Sequence, residues 1–127
     1  MDVRILDLQD LTSIADYFVI GSAGSEPQMK AIVESVVDGL AAEQVRPWHV
    51  EGTTAWRWVL IDYVDVVVHV FRQETRVFYG LERLWGDAPV TDVFLDPASG
   101  TIQSRTAGPR VQDEKRHEGD GFALPRE

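Results

Sequence analysis

Residues 58–71, WVLIDYVDVVVHVF, constrain the fold more than any other stretch of this chain. Two runs dense in β-branched side chains flank a four-residue link, Asp62-Tyr63-Val64-Asp65. Such side chains lose rotamer freedom in a helix and pack well on a pleated surface. The short link predicts an antiparallel hairpin with strands over 56–61 and 66–71. Alternation puts Val66, Val68 and Val70 on one face and Val67, His69 and Phe71 on the other. It also puts Trp56 and Trp58 on a common face, with Asp62 sharing it by parity. Asp62, Asp65 and His69 are thus polar groups in a nearly apolar unit. They read either as chemistry or as a turn and a lining residue.

The flanking sequence predicts a mixed α and β pattern. Residues 3–8 read as a strand, followed by a connection over 10–15. Tyr17-Phe18-Val19-Ile20 is a short apolar run closed by Gly21, as expected of a buried central strand. GSAGS (21–25) reads as a loop entering a helix. Ser25 is its N-cap, Gln28 completes a capping box, and Pro27 is tolerated in the first turn. Met29, Ile32, Val33, Val36, Val37 and Leu40 recur at helical spacing and need a buried face. Residues 45–50 suit an edge strand because of Pro47. Glu51-Gly52-Thr53-Thr54 suits a turn. A second helix is expected over 74–85 with Val77, Phe78, Leu81, Leu84 and Trp85 near one face, weakened at Gly80 by about 1 kcal/mol relative to alanine. Residues 90–95 add a short strand. From 98 onward Gly, Pro, Ser and charges dominate, so 1–97 is expected to be one folded domain and 98–127 a disordered tail.

The charge distribution narrows the partner. The formal net charge is −9, and residues 1–97 hold 7 of the 12 basic and 16 of the 21 acidic side chains, so the whole excess lies on the folded part. A domain this acidic is repelled by phosphate backbone, which argues against direct nucleic-acid binding. It would attract a basic protein partner, although a role in solubility alone accounts for the charge equally well. The chain has no cysteine, which excludes disulfides and thiolate sites. No apolar run approaches the roughly 18 residues of a membrane span. The first residues lack the pattern of a signal peptide. A cytoplasmic protein without a membrane role is expected.

Each candidate for chemistry is weaker than its structural alternative. GSAGS matches neither GxxxxGK[ST] nor GxGxxG. A Gly-Ser pair after a strand also opens the nucleotidyltransferase signature, but no Asp-x-Asp follows on a later strand. Asp62 and Asp65 lie three apart across a turn, where aspartate bonds backbone amides. No third oxygen ligand stands near them in sequence, as two-metal chemistry would need. His69 and His49 without cysteines make a thin zinc set. A triad of a histidine with Ser22 and Asp16 lacks any GxSxG context. No catalytic residue, metal site or cofactor is expected. The aromatic face around Trp58, ending at acidic residues, reads equally well as an interface hot spot or as core.

Several segments in order carry a resemblance: LDLQDLTSIADYFVIGSAGS, the Glu51-Gly52 pair, WVLIDYVDVVVHVF and RVFYGLERLWGDA. They resemble the ribosomal silencing factor family, also called Iojap or RsfS, over about residues 5–88. The resemblance implies an α+β fold, a mixed sheet flanked by helices and related to nucleotidyltransferases without their catalytic acids. It implies binding to the large ribosomal subunit through its L-fourteen protein, which blocks small-subunit joining and represses translation. Large-subunit assembly is the alternative within the family; a metal-dependent nucleotidyltransferase is the alternative from another class. Carried onto this chain, Trp58 and Tyr63 match apolar contacts, and Asp62 and Asp65 match groups able to pair with a basic partner. His69, Phe71 and Arg76 fall within matching motifs. Tyr79, Glu82 and Trp85 match the last motif, with a mainly structural role.

Two departures bear on structure. The family usually has glycine in the hairpin turn where this chain has Val64, and valine resists positive φ. The family also usually begins with a helix before the first strand, whereas only Met1-Asp2 precede Val3 here. Loss of that helix would expose apolar surface and favour a homodimer.

Overall fold

The computed structural model describes residues 2–107. Among these residues, seven strands form one mixed sheet: β1 Val3–Asp7, β2 Tyr17–Ala23, β3 His49–Glu51, β4 Trp58–Asp62, β5 Val66–Arg72, β6 Val90–Leu95 and β7 Ile102–Ala107. Three helices complete it, α1 Glu26–Ala42, α2 Gln73–Tyr79 and α3 Leu81–Leu84. The strand order is β3-β4-β5-β2-β1-β6-β7. Only β2 and β5 run parallel, in register from Tyr17 with Val66 to Ala23 with Arg72; the other pairs are antiparallel. This is the α+β architecture that the sequence predicts.

The alternation along β5 sorts the core into two layers. Val68 and Val70, with Val59 and Ile61 of β4, face α1 and pack with Met29 and Val33. Each fully buried aliphatic side chain there contributes about 1.5–3 kcal/mol. Val67 and Phe71 face the other way, into a layer with Leu6, Leu8, Phe18, Ile20 and Leu81. The α1 start follows the expected cap: Ser25 Oγ accepts from the Gln28 N–H at 3.2 Å. Gln28 Oε1 reaches back one residue further than a capping box requires, to the Gly24 N–H at 2.7 Å.

Five expectations are corrected. Strand β2 continues through Gly21, Ser22 and Ala23, because the parallel ladder with β5 pairs these residues too. The GSAGS loop therefore shrinks to Gly24 and Ser25. The expected helix over 74–85 breaks in two at Gly80, which adopts φ +58 and caps α2 in the left-handed conformation. That break leaves Val77, Phe78 and Leu84 exposed rather than on a buried face. Trp56 is not on the strand: its φ of +55 turns the chain before β4 begins, so it packs on the α1 layer while Trp58 packs on the opposite one. Residues 102–107, expected within the tail, form β7 against β6, with Thr91 and Thr106 hydroxyls 2.8 Å apart across the pair. The remainder of the expected tail lies outside the described residues.

Two tight places fix the ends of β4. Gly52 has φ +94, and a Cβ there would collide with the Trp58 carbonyl oxygen, so only glycine fits. At the other end Val64 has φ +76. The Asp65 N–H bonds the Tyr63 carbonyl at 3.0 Å, spanning Val64 in the manner of the rarer, strained hand of γ-turn. The Val64 N–H is held by Asp62 Oδ1 at 2.7 Å. A β-branched residue in this region is strained by about 1–3 kcal/mol. Val64 is 58% exposed and has little burial to lose. We therefore expect Val64→Gly to stabilise the domain by about 1 kcal/mol, after the added chain entropy of glycine. Denaturant unfolding checks this, and an unchanged or lower midpoint would show the turn to be relaxed as it stands.

Candidate functional site

An aromatic column is built on β4, β5 and α2. Phe71 lies fully buried at its base. Trp58, its register partner on β4, stacks on Phe71 with ring centroids 4.9 Å apart. Tyr79 at the end of α2 lies 4.6 Å from Trp58, and Phe78 meets Tyr79 edge-on at 5.1 Å. The column thus rises from core to solvent, where Phe78 is 77% exposed. Trp58, Phe78, Tyr79, Thr75, Ala55 and Gly52 line an open groove of about 440 Å³ beside it. Large, rigid aromatics next to a groove are the usual anchors of protein interfaces.

His69 holds the Trp58 indole in place. The Trp58 Nε1–H donates to His69 Nδ1 at 3.0 Å. That bond assigns the neutral tautomer with the proton on Nε2. Phe18 packs against the imidazole at 4.5 Å, and His69 is only 3% exposed. Burial lowers its pKa to about 3, so the ring stays neutral near physiological pH. Its Nε2 has no partner among the described residues.

Arg76 is also internal. Its guanidinium reaches Glu82 at 2.7 Å, the Ser22 hydroxyl at 3.1 Å and the Asp2 carbonyl at 2.6 Å. Arg4 joins the same carboxylate at 3.6 Å. This network ties α2 and α3 to β2 across the Gly80 break. It also settles Ser22, which serves Arg76 rather than His69, while Asp16 lies at the far end of β2. The three do not form a triad.

The residues singled out in the sequence fall into two groups that the fold keeps apart. Trp58, His69, Phe71 and Arg76 lie on the α2 face. Of these, Trp58 is half-buried and the other three are buried, so the three present no contact surface and act as supports. Asp62, Tyr63 and Asp65 stand at the opposite end of β4, roughly 13 Å along the strand at about 3.3 Å per residue. Asp62 is the turn's capping group, and Asp65 is exposed. Tyr63 packs toward the α1 layer; its buried hydroxyl lacks a partner among the described residues, and burial pushes its pKa up. The exposure of Phe78 escaped the sequence reading. The signal for it was Gly80, where a left-handed residue ends α2 and turns its last side chains outward.

Residues 1–120 match the family model described as ribosomal silencing factor during starvation. The chain is 41% identical over 92 residues to ribosomal silencing factor RsfS of Bacillus subtilis, covering 72% of this chain and 78% of that one. It is 33% identical over 104 residues to mitochondrial assembly of ribosomal large subunit protein 1 of Mus musculus, covering 80% and 46%. A crystal structure of a protein from Chromobacterium violaceum superposes with a TM-score of 0.63 at 38% identity, covering 65% of this chain and 68% of that one.

Two predictions test the supports. Unfolding exposes His69 and restores its ordinary pKa near 6.5, so below that pH the unfolded state takes up a proton that the folded state refuses until about pH 3. Stability is therefore full above pH 6.5 and falls through that window, with about 2 kcal/mol lost to this residue at pH 5. His69→Gln should flatten this part of the stability profile in denaturant titrations at pH 7 and pH 5; an unaltered slope would assign it to other groups. Arg76→Ala leaves the mostly buried Glu82 carboxylate with Arg4 at 3.6 Å in place of its closest cation. It should cost about 3–5 kcal/mol by the same measurement, and a loss under 1 kcal/mol would show the pair to be solvated.

Proposed function

Because the chain belongs to the ribosomal silencing factor family, we propose that it represses translation by binding the large ribosomal subunit through the L-fourteen protein and excluding the small subunit. Occupancy suffices for this: a bound domain covers surface that the small subunit needs, and no catalytic step is required. The observation that carries the reading onto this structure is the exposed end of the aromatic column. Trp58, Tyr79 and Phe78 offer rigid apolar area beside a groove, positioned by His69, Phe71 and Arg76 from within. Asp62 and Asp65 contribute negative potential toward a basic protein and away from rRNA.

Assembly of the large subunit is the second reading. It is favoured by the name of the mouse relative and uses the same contact. A homodimer is compatible with the exposed apolar residues of α2 and α3, and it would compete with the ribosome for them.

The experiment is sedimentation with purified large subunits, followed by addition of small subunits. The chain should co-sediment and reduce the yield of joined ribosomes. Absence of co-sedimentation would sink both readings; co-sedimentation with unimpeded joining would leave assembly. Trp58→Ala should weaken binding at least tenfold, about 1.4 kcal/mol, with the domain still folded by circular dichroism. Unchanged affinity would remove the column from the contact.

A further inference from the structure

Two charges of opposite sign flank the groove beside the aromatic column. Arg57 and Glu74 both line it, and both are exposed. Neither side chain has an ion pair or a hydrogen bond among the described residues, so they do not bond each other. The Arg57 carbonyl accepts from the Arg72 N–H at 2.9 Å, which holds the start of β4 beside the start of α2, where Glu74 lies. Arg72 itself is committed to the Trp56 carbonyl at 3.3 Å. The Thr75 hydroxyl, also in the lining, has no partner among the described residues. The rest of the wall is aromatic. The Trp58 indole N–H is taken by His69, so this ring offers only apolar surface. Tyr79 and Phe78 continue it. At about 440 Å³ the groove falls within the size range of small-molecule clefts, roughly 300–1,000 Å³.

We propose that this groove binds a free amino acid with a large apolar side chain, its carboxylate on Arg57, its ammonium on Glu74 and its side chain against Trp58, Tyr79 and Phe78. A guanidinium fits a carboxylate as a two-pronged fork, and a carboxylate accepts readily from an ammonium. Charge decides the class of ligand. A cation and an anion on one groove complement a molecule that carries both charges on one carbon. A nucleotide brings only negative charge to an acidic domain and sets it against Glu74. A simple amine or carboxylic acid satisfies one of the two groups and leaves the other idle. The aromatic wall decides the side chain: a ring or a branched chain buries apolar area there, which glycine or alanine as free ligands lack. Because the groove is open, the expected Kd is about millimolar. The site itself does not depend on the ribosomal reading. Its consequence does: the bound amino acid covers the end of the column proposed to meet the large subunit, so occupancy competes with subunit binding.

The test titrates L-phenylalanine into the isotope-labelled full chain and follows nitrogen–proton correlation spectra. The Trp58 indole resonance and the Phe78 and Tyr79 amides should shift saturably. Phenylpropionate, which lacks the ammonium, and phenethylamine, which lacks the carboxylate, should each bind about tenfold more weakly. Arg57→Gln should weaken phenylalanine about tenfold and leave phenethylamine unchanged; Glu74→Gln should do the same with phenylpropionate as the unaffected ligand. Both positions are exposed, and retained spectral dispersion excludes misfolding. No saturable shift up to the solubility limit of phenylalanine, shifts confined to other surfaces, or analogues that bind as tightly as phenylalanine would overturn the inference. A second arm separates it from the ribosomal reading: phenylalanine should lower co-sedimentation with purified large subunits. Saturable binding at the groove with undiminished co-sedimentation would leave the amino-acid site standing and remove the column from the subunit contact. Co-sedimentation of a chain that shows no shift with phenylalanine would leave the ribosomal reading standing and overturn this one.

Discussion

The parallel ladder between β2 and β5 is the constraint on which the rest of the structure depends. Parallel neighbours cannot be joined by a tight turn, so the chain must leave the sheet and return. Here it leaves through α1 and returns through β3 and β4, which places α1 on one face. The ladder is long enough to carry Gly21, Ser22 and Ala23 into the sheet. Ser22 thereby lands where Arg76 can reach it, and Arg76 fixes the two short helices on the opposite face.

From that arrangement the aromatic column follows. Phe71 and His69 alternate onto the α2 face of β5, and Trp58 lies across from Phe71 on β4. A hydrogen bond from indole to imidazole and a stack on Phe71 lock Trp58 in orientation. His69 thus serves to orient Trp58. Its burial keeps it neutral, and neutrality is what allows Nδ1 to accept from the indole. The same side chain in an exposed strand would have titrated near neutral pH and released the tryptophan.

Much of the fold was legible in the sequence, and the misses share one cause. The hairpin, the capped start of α1 and the two-faced valine run were readable because each depends on local periodicity or a cap. The break at Gly80, the off-strand Trp56 and the edge strand β7 were not. Gly80 in a helical pattern reads as a modest propensity penalty until a left-handed conformation is known to be needed there. Trp56 obeys strand parity only if the strand reaches it, and its positive φ ends that parity. β7 lacks an apolar pattern of its own and exists because β6 offers an edge. Among the site residues, Trp58, Asp62 and Asp65 were identifiable by type, whereas their separation along β4 and the burial of His69, Phe71 and Arg76 were not.

The sequence by itself determined the class of structure, the acidic character of the surface and the family, because composition, alternation and ordered motifs are properties of neighbours along the chain. Only the tertiary structure decided which of these residues are exposed and which are buried. Burial and approach between distant segments separate His69 from Trp58 in role although both lie in one hairpin, and bond Asp16 to Asp65 although forty-nine positions divide them. Those outcomes depend on which strands pair and which faces are covered, and no local pattern encodes that.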